Sequence, residues 1–160
     1  MLEAIVAVYA DWGIGAKGTQ PVVVKADRRR FRELTEGAAV LVGRKTLADF
    51  PGGRPLKNRA NIVLTRQNLL IEGAETAGSV EAALELAAPH SHVLVIGGES
   101  VYKALIPHIG RVYVTKIALT PHSDVFFPDL DADPAWRVAE TGEESEENGV
   151  RYCFLTYERI

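Results

Sequence analysis

Four apolar runs recur along the chain: LEAIVAVY (2–9), AAVLVG (38–43), ANIVLT (60–65) and HVLVIGG (92–98). None alternates apolar with polar residues as a strand with one wet face would. Short unbroken runs of this kind suit strands buried on both faces, which is the signature of a parallel sheet. Helical patterns separate them. KADRRRFRELTEG (25–37) has Asp27 in its first turn, Phe31 and Leu34 on one face and Gly37 to end it. RKTLADF is a short helix stopped by Pro51, Gly52 and Gly53. SVEAALELAA (79–88) offers Ser79 as N-cap and Val80, Ala83, Leu84 and Ala87 as its apolar stripe. ESVYKALI is a further helix, and a short strand fits 74–77. Strands alternating with helices predict an α/β fold, with right-handed crossovers and a mostly parallel central sheet flanked by helices.

The tail has a different rhythm. RVYVTKIAL (111–119) and GVRYCFLTYER (149–159) are strands with no helix between them. PAWRVAE (134–140) pairs with the last strand through the TGEESEENG loop, which predicts an antiparallel C-terminal hairpin. Within that loop the acidic run EESEEN (143–148) reads as a solvated turn. A length of 160 residues, with 47% of them apolar, suits one packed domain spanning 1–160. The net charge of −3 does not suggest a nucleic-acid binder. Cys153 is the one cysteine, read as a small buried hydrophobe; a chain that cannot form an internal disulfide fits a reducing compartment. The N-terminus lacks the basic flank and cleavage site of a signal peptide, and no apolar run reaches membrane-spanning length. A soluble cytoplasmic protein, monomeric and acting on small molecules, is expected.

Chemistry concentrates at the ends of the predicted strands. In VIGGESVYKAL a strand gives way to two glycines and a helix start, where backbone N–H groups can meet a phosphate; a plain tight turn explains the same residues equally well. VLVGRKT ends a strand in Gly43 and then presents Arg44, Lys45 and Thr46. VLTRQ places Thr65 and Arg66 after another strand. Each cation alone reads as solvated surface. Clustered at the carboxyl edge of an α/β sheet, where ligands bind, they form a cationic rim suited to a nucleotide phosphate. The long loop ADWGIGAKGTQP (10–21) belongs to the class that is functional when it occurs in a compact domain. His90, His92, His108 and His122 lack metal-ligand spacing, so no metal site is expected, and no nucleophile elbow is present. The Arg28–Arg30 run splays around a helix and reads as a solvated face. Asp27 follows VVV and precedes Phe31 by one turn. A carboxylate there meets the helix dipole favourably, but in apolar surroundings it also needs a partner.

Taken together, IGAKGTQP, Asp27 with Phe31, GRKT, GRPL…NR (53–59), VIGGESVY, Thr115, FFPD and YCFLTYER resemble, in order and separation, the dihydrofolate reductase family. The resemblance runs end to end. It implies NADPH-dependent reduction of 7,8-dihydrofolate to tetrahydrofolate, with hydride delivered to C6 and a proton to N5. By position it implies that Asp27, supported by Thr115, binds the pterin and promotes protonation. Val6, Ala7, Phe31, Phe50, Leu56 and Ile96 would line the substrate cleft, and Arg59 would meet the substrate's glutamate carboxylate. Ala7, Ile14, Gly15, Ile96 and Tyr102 would surround the nicotinamide. Gly97, Gly98, Glu99, Ser100 and Val101 would hold the pyrophosphate, with Gly43, Arg44, Lys45 and Thr46 alongside. Thr65 and Arg66, together with Arg44, would meet the adenosine 2′-phosphate, with Leu64 also on the cofactor side. The resemblance also implies a cis peptide bond between the two glycines.

The chain departs from the family pattern at three positions. Val22 stands where most members have tryptophan, Lys25 where they have proline, and Gln20 where they have Met or Leu. A valine at 22 implies a pterin wall that is only partly rebuilt, with Trp12 or Gln20 as the groups able to reach in. Two alternatives stay open at this point: a related pterin or pyrimidine reductase on the same fold, and a non-catalytic folate- or nucleotide-binding module.

Overall fold

The computed structural model describes residues 1–16 and 20–160. Residues 17–19, part of the glycine-rich loop, lie outside the described residues. The main sheet is built from β1 (Leu2–Tyr9), β3 (Ala39–Gly43), β4 (Ala60–Leu64), β5 (Ala74–Ala77), β6 (Val93–Gly97), β7 (Ile109–Ile117) and β11 (Val150–Arg159), with the short β9 (Trp136–Thr141) and β10 (Ser145–Glu147) at one edge. Its order is β10-β11-β7-β1-β6-β3-β4-β5, and β9 pairs with the outer side of β11. Pairings from β5 across to β7 are parallel; those of β11 with β7, β9 and β10 are antiparallel. The unbroken apolar runs therefore occupy the buried centre of the sheet, and the later strands extend it antiparallel, as the sequence predicts.

The centre is covered on both faces. Ala4, Val6 and Val8 point to the side where α3 (Val80–Ala87) and α4 (Glu99–Leu105) pack; Ile5 points to the side of α1 (Lys25–Thr35) and α2 (Arg44–Ala48). Successive residues of β1 thus serve different layers, as the pleat requires. Ser79 caps α3 by accepting from the Ala82 N–H at 3.1 Å. The lone thiol, Cys153, is half-buried on β11 rather than enclosed, and partial burial still pushes it upward in pKa.

Two features depart from the sequence reading. The loop after β1 contains a short strand, β2 (Gly13–Gly15), paired with β8 (Val125–Phe126). The acidic run is not simply a turn, because it contains β10, and Glu147 reaches across to the start of α1. The Glu147 carboxylate accepts from the Lys25 N–H at 2.6 Å and from the Ala26 N–H at 3.3 Å. Val24, at the N-cap position, has no side chain that can do this. A carboxylate on the free N–H groups of a first turn also complements the helix dipole. Glu147→Ala should therefore cost about 1 kcal/mol, lowering the melting temperature by roughly 2–4 °C. An unchanged urea midpoint would show that the contact contributes nothing.

Candidate active site

A cleft of about 870 Å³ opens at the carboxyl ends of β3, β4 and β6 and runs back over β1. One end holds Asp27 and Phe31 of α1 against Ile5, Val6 and Ala7 of β1. The middle is walled by Ile14, Gly15, Ile96 and Tyr102, and the far end by Gly43–Thr46, Leu64–Arg66 and Gly97–Val101. A hollow of about 280 Å³ elsewhere on the protein is lined by Glu3, Glu33, Glu36 and His92. There the Glu3 carboxylate accepts from Tyr113 at 2.9 Å and Arg111 at 3.3 Å.

Asp27 is placed by the start of α1. Its N–H donates to the Val24 carbonyl at 3.1 Å, and its Oδ1 accepts from the Thr115 hydroxyl of β7 at 2.6 Å. Burial raises the Asp27 carboxyl above the usual aspartate value; the Thr115 hydroxyl and the charges of Arg30 and Arg28 pull the other way without reversing it. Thr115 is almost fully buried, so this pair is a fixed polar unit under an apolar wall. The Tyr102 ring forms part of that wall, and its hydroxyl is already committed to the Ile5 carbonyl at 2.7 Å.

The far end is cationic. Arg44, Lys45 and Arg66 line it, and none pairs with a carboxylate among the described residues. No side chain caps α2 or α4, whose N-cap positions are Gly43 and Gly98. The Gly97–Gly98 peptide is cis. A Cβ on Gly98 would lie 2.8 Å from Thr46 Oγ1, and one on Gly43 2.9 Å from Val101 Cγ2. Backbone approaches this closely only because side chains are missing there. Glu99 lines the cleft, but its carboxylate accepts from the Phe126 N–H at 2.7 Å and faces Lys103 at 3.7 Å. It thereby ties β8, and through it the glycine-rich loop, to α4.

Every residue expected around a nucleotide cofactor lines this one cleft. Of the residues expected on the substrate side, some line the same cleft and others do not. Val6, Ala7, Asp27, Phe31 and Ile96 line it, and Thr115 meets it through Asp27. Phe50 and Leu56 pack against the core beneath α1 and α2. Arg59 is directed to Thr35 Oγ1 at 3.1 Å and the Lys57 carbonyl at 2.8 Å. Val22 does not stand in the cleft wall: it packs with Tyr9, Val24 and Ile117, its backbone clasping the Tyr9 hydroxyl through both N–H and carbonyl. Nor does Trp12 fold over the site. It is 4% exposed, stacked on Phe127 and edge-on to Tyr157. Gln20 takes the place instead, donating from Nε2 to the Ala7 carbonyl at 3.1 Å inside the cleft. Sequence reasoning assigned no site role to Ile5, Ala16, Asp49, Gln67 or Val125, which also line it. Ile5 shared the β1 run with Val6 and could have been found from it; Val125 carries no local signal.

The dihydrofolate reductase family model matches residues 1–159. The chain belongs to the dihydrofolate reductase family. It is 36% identical to the dihydrofolate reductase of Staphylococcus haemolyticus over 99% of this chain and 96% of that one. It is 40% identical to that of Mycobacterium leprae over 91% and 90%. A solved dihydrofolate reductase from Enterococcus faecalis, complexed with NADP(H) and RAB-propyl, superposes with a TM-score of 0.87 at 36% identity, covering 99% of this chain and 96% of its own.

Proposed function

We propose that the Asp27 end of the cleft binds the pterin of dihydrofolate and the cationic end binds NADPH. The enzyme reduces dihydrofolate to tetrahydrofolate with NADPH as reductant. The observation that supports the assignment of residues is the pairing, in one cleft, of a half-buried carboxylate with a cationic rim that meets no carboxylate among the described residues. Asp27 accepts one bond from Thr115 and retains acceptor capacity on both oxygens for the pterin's N3–H and 2-amino group. Its raised pKa favours holding a proton close to the ring and promotes protonation at N5, relayed by a water at the cleft mouth. Phe31 supplies a flat aromatic face and Ile96 an aliphatic one, and together they orient the pterin and exclude bulk water.

The far end fits NADPH, which when bound supplies the hydride that C6 accepts. Gly43 and Gly98 leave room for a pyrophosphate at the backbone, Thr46 and Ser100 offer hydroxyls, and Arg44 and Arg66 hold the 2′-phosphate. Gly43→Ala should press its methyl into Val101, destabilising the fold by about 1–3 kcal/mol and weakening NADPH binding. Wild-type melting temperature and NADPH Kd in that variant would contradict the close packing.

We read the chain as one domain acting as a monomer in the cytoplasm, without nucleic-acid partners; the lone thiol and the charge of −3 support this. No helix among the described residues is long and apolar enough to cross a membrane. The test of function is NADPH absorbance with and without dihydrofolate. Oxidation only when dihydrofolate is present supports the reading. Oxidation with a pyrimidine or other pterin substrate alone, or ligand binding without turnover, overturns it.

A further inference from the structure

Arg30 was expected on a solvated helix face. Arg28 and Arg29 are exposed there, but Arg30 turns inward. It lies one turn beyond Asp27 on α1, which places both side chains on the same flank. Its Nη1 donates to the carbonyl of Val114 at 3.4 Å. Its guanidinium lies 4.4 Å from the centre of the Phe154 ring and 5.7 Å from that of Tyr113. Phe154 is the cross-strand partner of Thr115, the residue that holds Asp27. Arg30 is therefore clamped onto the strand pair that positions the cleft carboxylate.

The clamp uses a neutral carbonyl and two rings. No carboxylate lies within ion-pair distance of Arg30 among the described residues. Its charge is thus fixed, partly desolvated and not cancelled by a contact partner. We propose that Arg30 is a positioning residue for the reaction: it supplies a permanent positive charge behind Asp27 that favours the ionised carboxylate and so sets the pH range over which the cleft delivers a proton. This rests on the reading of Asp27 given above. Thr115 of β7 bonds Asp27 directly; the charges that act on it are those of Arg30 and Arg28 on its own helix, and its own charge acts on Tyr102 of α4. The groups that act on Arg30 are Asp27, Tyr113 of β7 and Glu140 of β9. Arg28 is exposed and screened by solvent, and Tyr102 stays protonated, so Arg30 is the partner able to act.

The test compares Arg30→Met, which keeps the aliphatic stem over the rings, with Arg30→Gln and with Arg30→Lys, which keeps the charge. Asp27 is titrated in the free enzyme by carboxyl carbon NMR of labelled aspartate, its signal identified by its loss in Asp27→Asn. The expected result is a midpoint moved to higher pH in the Met and Gln variants and returned toward wild type in the Lys variant. The falling limb of kcat/KM against pH moves the same way, since a stronger hold on the proton extends delivery to higher pH. A wild-type midpoint in both Met and Gln variants overturns the proposal. A midpoint shifted equally in all three, Lys included, overturns it in favour of packing alone. The titration needs no turnover, so it separates this proposal from failure of the functional reading: an enzyme that shifts as expected but does not reduce dihydrofolate would refute that reading only.

Discussion

Asp27→Asn should fold, bind NADPH as the parent does and lose roughly 10²–10⁴-fold in turnover at neutral pH. The amide keeps the shape and can still accept from the Thr115 hydroxyl, but it loses the charge and one acceptor oxygen. Activity should recover in part at low pH, where the substrate arrives already protonated. The same variant should melt higher than the parent at pH 7. Burial raises the folded-state pKa of Asp27, so ionising it costs native stability. That cost is absent below the ordinary aspartate value of 3.8 and complete above the raised one. The difference in melting temperature should therefore shrink as the pH falls toward 4. A kcat/KM close to wild type at pH 7 would remove Asp27 from the chemistry. A lower melting temperature would mean that its ionised form is net stabilising in the fold.

Truncating both Arg44 and Arg66 to Ala should raise the NADPH Kd by about 10²-fold and leave NADH nearly unchanged. Each charge-assisted bond to a phosphate contributes about 1.5–3 kcal/mol, and the low end applies because both side chains are exposed. Two such bonds give about 3 kcal/mol, or roughly two powers of ten in affinity. Salt should weaken NADPH binding to the parent and have less effect on the double variant. Equal losses for both cofactors would show that these arginines do not read the 2′-phosphate.

Local pattern was enough for the sheet and for the cationic end of the cleft. Buried parallel strands have to be apolar throughout, and the glycines and cations sit directly at their ends. Glu147, by contrast, caps a helix that begins 122 residues earlier in the chain, and no local signal marks such a pairing. Strands β2 and β8 span three and two residues, too short to show a period. Arg30 was misread because consecutive helical positions splay, and which one turns inward depends on where Phe154 and Val114 arrive from distant strands. The placement of Val22 departs from the expectation for a related reason. Val22 is held by the Tyr9 hydroxyl on both its backbone groups, which directs its side chain to the Tyr9–Ile117 cluster and leaves Gln20 at the cleft.

The decisive measurement follows a label. NADPH carrying deuterium at the transferred C4 position is turned over with dihydrofolate, and the product is examined by mass spectrometry and proton NMR. One deuterium at C6 of tetrahydrofolate, with N5 protonated from solvent, is the result expected of a cleft that holds both ring systems face to face. Product without label at C6, or NADPH consumed with no tetrahydrofolate formed, would contradict it.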